Sequence, residues 1–154
     1  MKTIIAVCGS STVDREAYDR AFEVGLHIAL NGCMLVCGGL GGVMEASCSG
    51  AKKENGLTIG ILPTKNGRDA NRYVDIPIVT GMGHARNVII VQTADSVIAL
   101  PGGAGTHSEI ALSLKTSTPV VALDAWEHLS GLEFASSPEE AVSKAVKSAE
   151  RTKG

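Results

Sequence analysis

With 154 residues, 44% of them hydrophobic and 19% charged, the chain is long enough for one domain with a sizeable core and too apolar to be disordered. Its formal net charge of −2 lacks the basic excess that nucleic acid or an anionic membrane surface calls for, so neither is expected as a partner. Aromatic residues are only 3% while glycines number 18, and a core of Ala, Val, Ile and Leu punctuated by glycine turns suits an α/β protein.

The first apolar run, Thr3 to Cys8, fits a strand buried on both faces. It is too short for the apolar region of a signal peptide, and no run in the chain is long enough to span a bilayer, so a cytoplasmic protein is expected. A small polar turn, Cys8-Gly9-Ser10-Ser11-Thr12, leads into a helix over about Asp14 to Leu30, with Ala17, Ala21, Val24 and Ile28 at helical spacing. Asn31-Gly32 stops that helix, and Cys33 to Cys37 is the second strand. Gly38-Gly39-Leu40-Gly41-Gly42 then opens a helix over about Val43 to Glu54. Leu57 to Leu62 is the third strand, ended by Pro63.

The polar stretch Pro63 to Tyr73 reads as a surface loop, one that is free to move over a ligand. Ile76 to Thr80 is a short strand, and Gly81-Met82-Gly83 turns the chain into a helix over about His84 to Thr93. Ser96 to Leu100 is the next strand. It runs into Pro101-Gly102-Gly103-Ala104-Gly105-Thr106-His107-Ser108-Glu109 and then a helix ending near Ser117. Pro119 to Leu123 is a strand, and Glu133 to Ala135 is a short edge strand. Ser137-Pro138-Glu139-Glu140 starts a last helix with serine at the N-cap, proline at the first position and glutamate at the third. The tail from Arg151 to Gly154 is expected to fray.

Strands and helices alternate throughout, and most strands are continuous apolar runs. The sequence therefore predicts a single Rossmann-like α/β domain over residues 1–154, a doubly wound, mostly parallel sheet with helices on both faces. Ligands of such sheets bind at the carboxyl ends of the strands, where all the glycine turns fall. The cysteines Cys8, Cys33, Cys37 and Cys48 read as plain buried thiols. Cys33 and Cys37 sit about 13 Å apart along a regular strand at roughly 3.3 Å per residue, too far to share a zinc ion. The four histidines have no ligand spacing, so no metal site is expected.

The run Gly102 to Gly105 leaves backbone bare for a ligand, and the helix after it presents unpaired N–H groups and a positive dipole end. That combination is an anion site, most often for phosphate. Gly38 to Gly42 departs from the dinucleotide fingerprint and reads equally as a ligand loop or as a tight turn with close helix–sheet packing. Neither loop has the Gly-Lys-Ser/Thr of a P-loop. Thr106-x-x-Glu109 has the form of a capping box, and Glu109 is also a carboxylate one turn from a phosphate site. Arg86 falls in the first turn of its predicted helix, where the dipole disfavours a cation. It either pairs with a phosphate or with Glu109, or is an exposed arginine whose long side chain escapes the dipole. His84 is a ligand contact or a cap, Ser10 and Ser11 are phosphate donors or turn formers, and Asn71 and Arg72 belong to a ligand site or a solvated loop.

The motifs Cys8-Gly9-Ser10-Ser11, Gly38 to Met44, Gly60-Ile61-Leu62-Pro63, Gly83-His84-Ala85-Arg86-Asn87 and Pro101-Gly102-Gly103-x-Gly105-Thr106-x-x-Glu109 occur in the order seen in Lonely Guy-type proteins. The resemblance covers residues 3–124. It implies a phosphoribohydrolase that cuts a nucleoside 5′-monophosphate into base and ribose 5-phosphate, with Arg86 and Glu109 as the catalytic pair and no metal or redox cofactor required. It implies further that Gly9, Ser10, Gly39, Gly41, Gly42, Gly102, Gly103, Ala104, Gly105 and Thr106 hold the nucleotide and its phosphate, and that the protein is a homodimer. The lysine decarboxylase label that such proteins inherit finds no support, because no lysine here sits in a Schiff-base setting. The chain departs from the family pattern at Asn87, where lysine is usual, at Ala104, where an aromatic is frequent, and at Ser108, where an acid is usual. In these respects it is similar to a compact branch that also resembles molybdenum cofactor carrier proteins, which implies the alternative of a non-catalytic carrier or sensor for a phosphorylated ligand.

Overall fold

The apolar runs become the strands of one parallel sheet. A computed structural model describes residues 1–153 in the order β1 (Ile4–Cys8), α1 (Arg15–Leu30), β2 (Met34–Cys37), α2 (Val43–Lys53), β3 (Thr58–Leu62), β4 (Ile76–Val79), α3 (Asn87–Thr93), β5 (Ser96–Ala99), α4 (Ala104–Lys115), β6 (Val120–Leu123), β7 (Glu133–Ala135) and α5 (Pro138–Lys153). The strands lie in the order β4-β3-β2-β1-β5-β6-β7, and every neighbouring pair is parallel. Successive side chains of β1 point to opposite faces: Ile5 and Val7 pack with α1, α2 and α5, whereas Ala6 and Cys8 pack with Ile90 of α3 and Ile110 of α4. The sheet is thus covered on both sides, as its unbroken apolar strands require. The chain reverses its direction across the sheet between β1 and β5, and this switch point is where a doubly wound sheet opens a crevice.

Local chemistry explains the helix ends. Asp14 caps α1 by accepting from the Ala17 amide at 2.8 Å. Ala21, Val24 and Ile28 are buried, and the half-buried Ala17 one turn earlier faces a cavity instead. At α5, Ser137 Oγ accepts from the Glu140 amide at 3.1 Å, and the Glu140 carboxylate accepts from Ser136 N at 2.8 Å. The box closes one residue further out than the simplest pattern.

Two expectations need correction. Helix α5 continues to Lys153 rather than fraying after Glu150, because Lys153 Nζ pairs with Asp95 at 2.8 Å, and the same Asp95 carboxylate accepts from Ile4 N at 2.8 Å. Gly154 lies outside the described residues. The helix expected from His84 is a 3-10 turn over Gly83–Arg86 that only then becomes α3. Strand β4 is the sheet edge, with Ile76, Ile78 and Val79 exposed. No helix among the described residues is long and apolar enough to cross a membrane.

Candidate functional site

At the carboxyl edge of the sheet a backbone strap joins the two central strands, with Ser10 N donating to Pro101 O at 2.9 Å. Cavities open on either side of it. The smaller, about 410 Å³, is bounded by Cys8 to Ser11, Leu40, Met44, His84, Arg86, Asn87, Gly103 to Thr106 and Glu109. The larger, about 680 Å³, lies toward the start of α1.

Arg86 is only 6% exposed. Its Nε donates to Ile61 O at 2.8 Å, its Nη2 to Gly38 O at 3.3 Å and its Nη1 to Asn87 Oδ1. All three acceptors are neutral, so the positive charge is held in place without being cancelled. Burial pulls its pKa down and the charge of Glu109 acts against that pull. Two of the five guanidinium N–H groups remain for another partner. This settles the choice between a buried and an exposed arginine in favour of burial. Arg86 closes a 3-10 turn instead of lying inside the first turn of an α-helix, so it does not face the helix dipole that the sequence predicts.

Glu109 is 8% exposed and lies on α4 facing the same cavity. It forms no capping box. Helix α4 starts at Ala104, with Gly103 as an N-cap that makes no side-chain bond, so Thr106 and Glu109 lie inside the helix. Burial raises the Glu109 pKa from 4.5 to about 7, opposed by a hydrogen bond with the Cys8 thiol and by the charge of Arg86. The thiol of Cys8 is in turn pushed well up, first by burial and then by Glu109. No ion pair among the described residues joins Arg86 to Glu109, so the two charges share the cavity without neutralising each other directly.

A hydrogen-bond relay links the arginine to α4. Asn87 accepts from Arg86 and donates from Nδ2 to Ser108 Oγ at 2.9 Å, and Ser108 Oγ donates to Gly105 O at 2.7 Å. Asn87 and Ser108 are two of the three positions where the sequence departs from the Lonely Guy pattern, and the fold places them in contact. The usual lysine and acid are thus replaced by a neutral, mutually bonded pair.

The amides of Ala104, Gly105 and Thr106 belong to the first turn of α4, where no intrahelical acceptor exists. Methyl groups at Gly103 or Gly105 would meet nothing within 4 Å, so the wall there is open backbone. Of the positions expected to bind, Gly9, Ser10, Gly103, Ala104, Gly105, Thr106, Arg86 and Glu109 surround this one cavity. Gly102 faces the larger cavity, and Gly39, Gly41 and Gly42 line neither. Ser10 Oγ is engaged by its own turn, donating to Thr12 O at 2.6 Å. His84 borders the cavity, as do Leu40 and Met44. Asn71 lies outside it and braces the first glycine loop, its Nδ2 donating to Leu40 O at 2.9 Å and its amide to Gly39 O at 2.8 Å. No residue of Pro63 to Tyr73 borders either cavity. Sequence reasoning did not place Cys8 in the site; only its position at the end of β1 hinted at it.

This is a Rossmann-like α/β protein with a cavity at the switch point of its sheet. The chain belongs to the SLOG cluster4 family, whose model matches residues 2–152. It is similar to the molybdenum cofactor binding protein of Rippkaea orientalis, with 43% identity, a TM-score of 0.91, and 96% of this chain and 97% of that one covered. It is also similar to the molybdenum cofactor carrier protein of Chlamydomonas reinhardtii, at 34% identity and a TM-score of 0.86 over 96% and 98% of the two chains. A cytokinin riboside 5′-monophosphate phosphoribohydrolase of Mycobacterium tuberculosis is 34% identical over 84% of this chain and 74% of its own.

Proposed function

We propose that this protein binds a phosphorylated heterocyclic small molecule and holds it intact, with the phosphate on the first turn of α4. The observation that carries the proposal is the open backbone of Gly103 and Gly105 beside unpaired helix amides, in a cavity whose cation, Arg86, is anchored only by neutral acceptors. Helix amides and a guanidinium are a matched donor set for a phosphate dianion. The neutral Asn87–Ser108 pair and the full-length likeness to the R. orientalis and C. reinhardtii proteins favour retention over turnover. The ligand class that follows from those two names is the molybdenum cofactor, a phosphorylated pterin.

Glu109 supports a second reading, hydrolysis of a nucleoside 5′-monophosphate. A carboxyl group that titrates near 7 beside an anion site is suited to orient a water and to stabilise the oxocarbenium-like state as the N-glycosidic bond breaks. The water oxygen then bonds to the ribose carbon and gives up a proton to Glu109, the bonding pair leaves with the base, and the base takes that proton.

One experiment separates the two. Purified protein is incubated with a panel of nucleoside 5′-monophosphates, with release of base and ribose 5-phosphate followed beside the Glu109→Gln variant, and molybdenum cofactor binding is titrated in parallel. Cofactor binding without base release supports the carrier reading. Base release that vanishes in Glu109→Gln overturns it in favour of the hydrolase.

A further inference from the structure

The larger cavity is not used by the phosphate reading, yet it shares Ser10 and the strap with the smaller one. The strap is low. Gly9 and Gly102 meet across it, and neither has room for a side chain: a methyl at Gly9 would lie 2.7 Å from Val43, and one at Gly102 would strike Thr106 and approach the Gly9 backbone to 3.0 Å. At the strap itself neither glycine carries a side chain, and Val43 and Thr106 close in beside it.

The cavities differ in charge. The smaller carries Arg86 and the positive end of α4. The larger has an apolar floor that includes Val13, Val43 and Leu100, and a rim bearing Asp14, Glu16 and Asp124 against the single cation Arg20. Arg20 is committed to Asp124, with two bonds at 2.9 and 2.7 Å, and Asp14 accepts from the Ala17 amide. Among the described residues Glu16 enters no hydrogen bond or ion pair, and it stands at the first turn of α1 on the cavity rim. A volume of about 680 Å³ lies within the range of small-molecule sites.

We propose that the larger cavity is the subsite for the ring end of the ligand, and that it selects an amino-substituted heteroaromatic ring lying on the apolar floor with its N–H groups toward the acidic rim. A phosphate is repelled from that rim and drawn across the glycine strap to α4, so the polarity of the crevice fixes which way round the ligand lies. This inference rests on the phosphate reading above and extends it to the remainder of the molecule.

The test uses calorimetry with three probes: inorganic phosphate, guanosine and guanosine 5′-monophosphate, the last two bearing a 2-amino-6-oxo ring. The variants are Ala17→Phe, which fills the larger cavity from the half-buried face of α1, and Glu16→Gln, an exposed change that leaves folding intact. Guanosine 5′-monophosphate is expected to bind the native protein at least about tenfold more tightly than inorganic phosphate, a gain of the size that one subsite supplies. Ala17→Phe removes that advantage, Glu16→Gln reduces it about threefold, and phosphate alone binds both variants as it binds the native chain. An advantage that survives both substitutions overturns the subsite while leaving the phosphate reading standing. Failure of all three probes to bind the native protein overturns both.

Discussion

The two glycine turns at the head of the sheet have nearly the same composition and opposite reasons for it. In the first, the chain itself demands the glycines. Gly39 has φ +78° with Leu62 only 2.7 Å from where a methyl would sit, Gly42 has φ +63° with its missing side chain pointing at Ser10 O, and Gly38 is crowded by Arg86. In the second, Gly102 is crowded by Thr106 as the first turn's glycines are by their neighbours, but Gly103 and Gly105 face open space, and neither has a positive φ. The first turn is glycine-rich so that the sheet, α2 and the arginine pack closely, and the second so that something outside the chain comes near the backbone. Glycine content alone does not reveal a ligand loop; what a side chain would hit decides it.

The comparison can be broken by substitution. Gly42→Ala is expected to show the largest effect, a loss of about 3 kcal/mol or more in denaturant unfolding, because a strained φ and a backbone clash add together. Glu109→Gln comes next and tests the second turn through charge. Its carboxyl titrates at 4.5 when unfolded and at about 7 in the fold. The folded state therefore holds the proton more tightly, and the stability this confers is complete below pH 4.5 and lost as pH rises through 7. Native protein should lose up to about 3 kcal/mol between pH 4.5 and 8 from this group, while Glu109→Gln shows a correspondingly flatter profile in the same denaturation series.

Gly105→Ala is expected to act in the opposite sense to Gly42→Ala. An alanine inside α4 raises stability by about 0.5–1 kcal/mol, while phosphate affinity falls about tenfold as the methyl enters the open wall. If calorimetry shows unchanged affinity, the second turn has no ligand role and the contrast fails. Asn71→Ala should cost about 1 kcal/mol through loss of its bond to Leu40 O and leave phosphate binding nearly unaffected, marking the brace as part of the first turn only. Ser108→Ala is expected to be the mildest for stability, about 0.5–1 kcal/mol by thermal unfolding, since it removes the hydroxyl between Asn87 and Gly105 O near the surface.

What the sequence revealed and what it hid follow from range. Runs such as Ile4–Cys8 and Ser96–Ala99 are buried on both faces, so their apolar character is unbroken and their strand identity is local information. Helix α4 starts earlier than local spacing predicts, because Gly103 and Gly105 are poor helix formers and only the tertiary setting makes their turn helical. For the same reason Thr106 and Glu109 have the spacing of a capping box while lying inside the helix. Arg86 stood out by type and position, but its anchors, Ile61 O and Gly38 O, lie 25 and 48 residues away and leave no trace in local spacing. The bond between Asn87 and Ser108 crosses 21 residues, so two departures noticed separately turn out to be one feature.

Asp95 sits at the end of the sheet opposite the cavities. There it accepts from Ile4 N and pairs with Lys153, whose ammonium also reaches Thr3 Oγ1 at 3.4 Å. The first strand and the last helix are stitched together at one carboxylate, remote from the crevice. An affinity tag, a fluorescent reporter or a surface tether joined beyond residue 153 therefore leaves the mouth of both cavities clear, and a short peptide joining residues 3 and 153 would give a circularly permuted chain. Its new ends belong in the exposed stretch Thr64 to Asn66, which lines neither cavity.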